Sequence, residues 1–201
     1  MVNNPPQPDA ILSSEHLEAA RLLPIIIWPD KRLQTKCEDV KDFNDTLKAF
    51  VASMVLTMRH QDGVGLAAPQ LGFFANVVTI DIPMQRDVSA GTDVEYEPAG
   101  YPFVLVNPKV VEVDDKHNFT WNEGCLSVPG YFEERTRPQR IVVEYQNDTG
   151  KNCSVEFQGL HAFAIQHELD HLEGKVFVDG LSRLKQDRIR KKITKTLNRR
   201  L

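Results

Sequence analysis

The sequence predicts an α+β fold: short antiparallel sheets around a central helix, with a further helix at the C-terminus. Three observations predict it. Between residues 76 and 157 apolar residues come in short strand-like runs separated by Gly, Pro, Asn and Asp, as in antiparallel sheets closed by tight turns. From Gly159 onward the periodicity turns helical, with Leu160, Phe163, His167 and His171 on one face and Ile165, Leu169 and Leu172 on another, so that helix belongs in the interior. The last segment places Ile189, Ile193, Leu197 and Leu201 on one stripe among Lys and Arg, an amphipathic helix.

In chain order, residues 1–12 are polar and Pro-rich and predict a disordered lead-in, and residues 13–23 predict a short helix capped by Ser13 or Ser14. Pro24 and Pro29 bracket an extended Ile25-Ile26-Ile27-Trp28. Residues 44–60 predict a helix, because Leu47, Phe50, Val51, Met54, Val55 and Met58 share a face and Asn44 or Asp45 can cap its start. Residues 63–70, Gly-Val-Gly-Leu-Ala-Ala-Pro-Gln, are too rich in small residues for a regular element and too apolar for a solvent loop; they suit close backbone approach. Strands are expected over 76–82, 103–106, 109–113 and 119–121, with a polar insertion at 83–102. Residues 141–145 and 153–157 flank Asn147-Asp148-Thr149-Gly150-Lys151, a hairpin signal. Gly174 stands where a helix C-cap would end the histidine helix.

The chain's 201 residues, 41% of them hydrophobic, suffice for one globular domain with extensions. The organisation expected is an N-terminal extension at 1–23, a body at 24–181 and a basic amphipathic helix at 182–201. The longest apolar stretch, 22–28, is broken by Pro24 and too short for a membrane span, and the N-terminus lacks the basic start and apolar run of a secretory signal, so a cytoplasmic protein is expected. Three widely spaced cysteines, Cys37, Cys125 and Cys153, make no disulfide framework; any that matters acts as a thiol. The net charge of −4 conceals an asymmetry. Residues 183–201 hold nine Lys/Arg against Asp187 alone, a net +8, which leaves −12 on the other 182 residues.

His167-Glu168-Leu169-Asp170-His171 carries the chemistry. Histidines at i and i+4 project from one helix face and can share a metal ion, with the adjacent Glu in reach of a water. Two imidazoles are too few. The downstream partners of the common metalloproteases are missing: position 177 is Phe, and no Glu follows Glu173. Asp179 and Asp187 stay possible as third ligand. An upstream thiolate is the other choice, and among the cysteines Cys125, beside Gly124, is modestly favoured over Cys37 and Cys153.

Together, Gly-x-Gly-x-Ala-Ala-x-Gln at 63–70, Glu-Gly-Cys-Leu-Ser at 123–127 and Gln-His-Glu-x-Asp-His at 166–171 resemble, in order, the three motifs of the peptide deformylase family. The resemblance covers residues 25–201 and makes 24–181 the catalytic domain. It implies that Cys125, His167 and His171 bind one divalent metal ion, that Glu168 is the general acid/base, and that Gln70 and the Leu126 N–H stabilise the oxyanion. It implies Fe²⁺ as the native metal, with Zn²⁺, Ni²⁺ or Co²⁺ able to take its place. The implied reaction removes the N-formyl group from the formyl-methionine of nascent polypeptides and releases formate. Val64, Gly65, Leu66, Leu160, Phe163 and Ala164 are then substrate-binding residues, and Glu123, Ser127 and Asp170 supporting ones. Similar basic C-terminal helices in bacterial relatives imply a ribosomal RNA partner for residues 183–201. Phe132 stands where relatives often have a substrate-contacting Arg, so the preference beyond methionine is expected to differ. An inactive peptide-binding paralogue and a metallopeptidase using Asp179 are the competing readings.

Overall fold

The computed structural model describes residues 14–82, 84–85, 96–97 and 102–197. Helix α1 (Ser14–Ala19) is shorter than the expected 13–23. The chain after it runs extended along helix α2 (Asp45–His60), with the Arg21 and Leu23 N–H groups donating to Ser53 Oγ and Thr57 Oγ1, one helical turn apart. Helix α2 begins as expected at Asn44, whose side chain accepts from Leu47 N at 3.1 Å.

The main sheet has five antiparallel strands: β1 (Gly65–Ala67), β2 (Val77–Ile80), β5 (Phe103–Val113), β8 (Arg140–Gln146) and β9 (Asn152–Gln158), in the order β1-β2-β5-β8-β9. Two small ladders flank it, β3 (Met84–Gln85) with β4 (Tyr96–Glu97), and β6 (Asn118–Gly124) with β7 (Phe132–Pro138). Helix α3 (Gly159–Leu172) follows β9 directly, and α4 (Arg183–Leu197) closes the described chain.

The centre of the sheet is covered on both faces. Along β2 and the start of β5, Val78, Ile80, Phe103 and Leu105 pack in the cluster beneath α3, while Val77, Val104 and Val106 pack with Met54 and Met58 of α2. This explains why β2 is fully buried and reads as a continuous apolar run rather than an alternation. Strands β8 and β9 face a core on one side only, and there the alternation returns, with Ile141, Val143, Val155 and Phe157 inward.

Three expectations change. Residues 103–106 and 109–113 form one strand, not two, because the chain bulges without leaving the sheet: Asn107, at φ 51°, pairs with both backbone groups of Val40 and with Gln146. The 63–70 segment does contain regular structure, namely edge strand β1 and a 3₁₀ turn at Ala68–Leu71. Strand β7 was not expected at all, since Glu133, Glu134, Arg135 and Arg137 give it no apolar signal. The 1–12 lead-in, most of the 83–102 insertion and Leu201 fall outside the described residues, as does the side chain of Leu197.

A third cluster joins the C-terminal helix to the body: Ile26, Trp28, Leu33, Val128, Val176, Phe177, Val178, Ile189 and Ile193. Ile189 and Ile193 are 1% and 3% exposed, so the basic helix is part of the fold. Lys185 reaches Glu133 on β7, and Lys192 donates to the Gly130 carbonyl, both at 2.5 Å.

Candidate active site

The site sits where α3, β1 and the turn after β6 meet. Helix α3 passes under the sheet because Ala162, Ala164, Ile165 and Leu172 belong to its core cluster. The same burial carries His167, Glu168 and His171 into the interior. Gly174, at φ 70°, ends this part of the chain as expected; a Cβ there would stand 2.6 Å from the Gln34 carbonyl oxygen, so the packing requires glycine twice over.

Cys125, His167 and His171 each offer a ligand atom, all within 4.8 Å of one another. Cys125 Sγ lies 3.2 Å from His171 Nε2. The His167 Nδ1 lies 2.5 Å from Glu123 Oε1, which leaves its Nε2 for the centre. One soft thiolate and two imidazoles, with a carboxylate fixing one ring, are the donor set that suits zinc or a neighbouring first-row divalent ion. Burial opposes the charge of Glu123, but hydrogen bonds from His167 and Arg137 outweigh it and hold the carboxyl at about 2.

The other third-ligand candidates are accounted for elsewhere. Asp179 accepts from Trp28 Nε1 through Oδ1 and from Val176 N through Oδ2, a structural role, and Asp187 lies exposed on α4. Cys37 is buried in the sheet cluster, where burial pushes its thiol up to about 11, and Cys153 lies half-buried on β9.

Glu168 is buried beside the donor atoms, and its Oε2 has no hydrogen-bond partner among the described residues. Desolvation pushes its carboxyl up to about 7. Gly65 of β1 lies against it, and any Cβ at position 65 would stand 2.4 Å from Glu168 Oε1. Close approach, inferred from the small residues of 63–70, is thus an approach to the catalytic carboxylate candidate.

Gln70 is buried, with Oε1 accepting from Ala67 N at 2.8 Å. Its Nε2 donates to Ser127 Oγ at 3.1 Å and points at Cys125 Sγ at 3.5 Å. Leu126, between the sulfur and Ser127, is half-buried and packs beside Gly63. Of the substrate-binding candidates, Val64 is 43% exposed at the start of edge strand β1, and Leu160 is half-buried. Phe163 and Ala164 are buried. Leu66 is fully buried and packs among Val51, Met54 and Met58, so its side chain belongs to the core. Phe132 is 61% exposed and lays its ring over Gly124, next to Cys125.

Motif reading missed Arg137. It lies on β7 with its Nη2 3.0 Å from Glu123 Oε1 and 2.9 Å from Asp170 Oδ2. The available signal was the alternation of charged residues in β7, which puts Glu133, Arg135 and Arg137 on one face.

Fold and donor set together define the class: an α+β chain whose described residues hold a metal-capable group, two imidazoles on one buried helix and a thiol on the adjoining turn. The chain matches the family model for polypeptide deformylase over residues 22–187, and it belongs to that family. A peptide deformylase from Teredinibacter turnerae is 41% identical over 174 residues, which is 87% of this chain and 95% of the relative. One from Neisseria gonorrhoeae matches at the same identity and coverage. The crystal structure of the Ehrlichia chaffeensis peptide deformylase superposes with a TM-score of 0.77 at 38% identity, covering 88% of this chain and 97% of that one. That from Legionella pneumophila gives 0.77 at 34%, covering 90% and 98%.

Proposed function

We propose that the chain removes the N-formyl group from the N-terminal formyl-methionine of nascent polypeptides, as a metal-dependent amidohydrolase releasing formate. The observation that supports it best is the Glu168 carboxylate, buried between edge strand β1 and a three-donor centre with no hydrogen-bond partner for Oε2 among the described residues.

Among the described residues β1 pairs with β2 alone, and Val64, which leads into it, is 43% exposed, which supports docking of an extended peptide in strand fashion beside Val64 and Gly65. Val64, Leu160, Phe163 and Ala164, with the backbone at Gly65 and Leu66, offer the apolar surroundings a methionine side chain needs. Cys125, His167 and His171 would hold one divalent ion, Fe²⁺ by family habit. Such an ion makes water acidic enough to supply a nucleophile near neutral pH and polarises a carbonyl. Glu168, whose raised pKa suits proton exchange near neutrality, takes the proton of the attacking water and hands it to the departing amine. Gln70 Nε2 and the Leu126 N–H donate to the oxygen that gains charge. Fixed donors cost no reorganisation at that moment, and Gln70 is fixed by Ala67 N and Ser127.

Formate release from formyl-Met-Ala-Ser under anaerobic conditions, with metal analysis, tests the proposal. The wild-type protein is expected to turn over, and Glu168→Ala to keep its metal while losing about 100- to 10,000-fold in rate. Release no faster than background by the metal-loaded wild type overturns the assignment. Retained metal content in Cys125→Ala would return the ligand question to Asp179.

The basic helix supports a second element: docking on ribosomal RNA, in the compartment where nascent chains emerge. Deleting 183–201 would remove Ile189 and Ile193 from a core cluster, so exposed charges are the right target. Replacing Arg188, Lys191 and Lys195 by Glu is expected to weaken ribosome association and reduce its salt dependence. Unchanged, salt-independent association sinks the docking idea without touching the catalytic one.

A further inference from the structure

Arg137 makes more contacts than an ion pair requires. Its side chain is 11% exposed and forks onto both oxygens of Glu123, Nε to Oε2 at 3.2 Å and Nη2 to Oε1 at 3.0 Å. The same Nη2 meets Asp170 Oδ2 at 2.9 Å, and the guanidinium carbon lies 5.4 Å from the centroid of the Phe163 ring. Phe163 is itself held edge-on by Phe119, with centroids 6.1 Å apart. Glu123 holds His167 Nδ1, and Asp170 sits one residue before His171 on α3. One planar cation therefore touches the carboxylate behind one metal-ligand candidate, the side chain preceding the other, and an apolar ring of the proposed methionine pocket.

We propose that Arg137 is a positioning residue that ties the methionine pocket to the metal ligand set, fixing His167 through Glu123 and the plane of Phe163 by stacking on it. This rests on the deformylase reading for the pocket half alone; the ligand half stands on geometry. The physical reason for arginine is its shape. A flat guanidinium donates along its edge to two carboxylates while its face lies on an aromatic ring; a compact lysine ammonium serves one carboxylate and leaves the ring bare. Without the cation, Glu123, 2% exposed, would be a buried carboxylate with His167 as close partner and, among the described residues, Arg135 Nε at 3.9 Å as its remaining cation. Its hold on the imidazole would loosen.

The test uses the Co²⁺-loaded protein and four chains: wild type, Arg137→Ala, Arg137→Lys and Asp170→Asn. Two readouts are taken: the rate at which excess chelator strips Co²⁺, followed by its visible absorption, and KM and kcat for formyl-Met-Ala-Ser. Arg137→Ala is expected to lose Co²⁺ about 10- to 100-fold faster, with an altered absorption band and a raised KM. Arg137→Lys should recover most of the metal retention but not the KM, because the charge returns and the stack does not. Asp170→Asn should move metal loss in the same direction by less. Wild-type Co²⁺ release and KM in a folded Arg137→Ala overturn the proposal. Where that variant does not fold, the same result in Arg137→Lys and Asp170→Asn overturns it. A wild type that holds Co²⁺ but releases no formate defeats the deformylase reading, and the chelator rates then still decide the ligand half.

Discussion

Helix α3 takes two histidines and a glutamate into the interior, whereas α4 buries Ile189 and Ile193 and leaves nearly all its charge in solvent. In α3 every buried polar group is set by another element: His167 by Glu123 of β6, Glu168 by Gly65 of β1, and His171 by Cys125 of the turn after β6. In α4 the polar groups need no such supervision, and its contacts with the body are a few side chains wide. The difference teaches that polar chemistry in a core is a property of an assembly, while an amphipathic helix carries its instructions in its own residues. The two are also joined: Lys185 and Lys192 of α4 grip Glu133 and Gly130, in the segment that follows Cys125, so the tail braces the stretch of chain next to the site.

The sharpest way to break the comparison is at Gly65. Gly65→Ala puts a methyl where the Glu168 carboxylate sits, so formate release is expected to fall about 100-fold or more with metal content unchanged. Full activity in that variant would mean that β1 does not set Glu168. For α4, Ile189→Ala should destabilise the fold by about 2–5 kcal/mol, read as a lower Tm, while the Co²⁺ spectrum below the transition stays as in the wild type. A changed spectrum would show the bracing of the Cys125 segment to be tighter than the contacts suggest.

The smallest effect concerns a second buried carboxylate. Both oxygens of Asp148, in the β8–β9 turn, are buried with no side-chain hydrogen-bond partner among the described residues, where no donor cluster stands beside them either. Burial raises the Asp148 pKa, opposed in part by Lys48 of α2, by the backbone N–H groups of Asp148 and Thr149, and by His16 of α1. A carboxyl whose pKa is raised by folding favours the folded state at low pH, and that contribution is lost as pH rises through the folded value. Asp148→Asn is therefore expected to stabilise by about 1 kcal/mol at pH 8, with the gain fading as pH falls into the ordinary carboxylate range. Thermal unfolding across pH measures it; a constant or growing difference at low pH would refute the assignment.

Much of this was legible in the chain. The caps at Asn44 and Gly174, the two helical periodicities and the β8–β9 turn depend on residues near one another in sequence, and the structure places them as expected. What escaped notice depended on distant partners. Strand β7 is charged because its inner face pairs with buried Glu123 of β6 and half-buried Asp170 of α3, so apolar periodicity could not find it. β1 is three residues long and is a strand only because β2 lies beside it.

The sequence by itself determined the α+β class, the apolar helix bearing His167 and His171, the three motifs that carry the family resemblance, and the separation of an acidic body from a basic tail. Only the tertiary structure brought Cys125 to His167 and His171 while pairing Asp179 with Trp28, set Glu168 against Gly65, and brought Arg137 to Glu123, Asp170 and Phe163. The reason is range: helix faces, caps and charge balance follow from residues a turn apart, whereas a ligand set and its supports are made by side chains from four elements that meet only when the core closes.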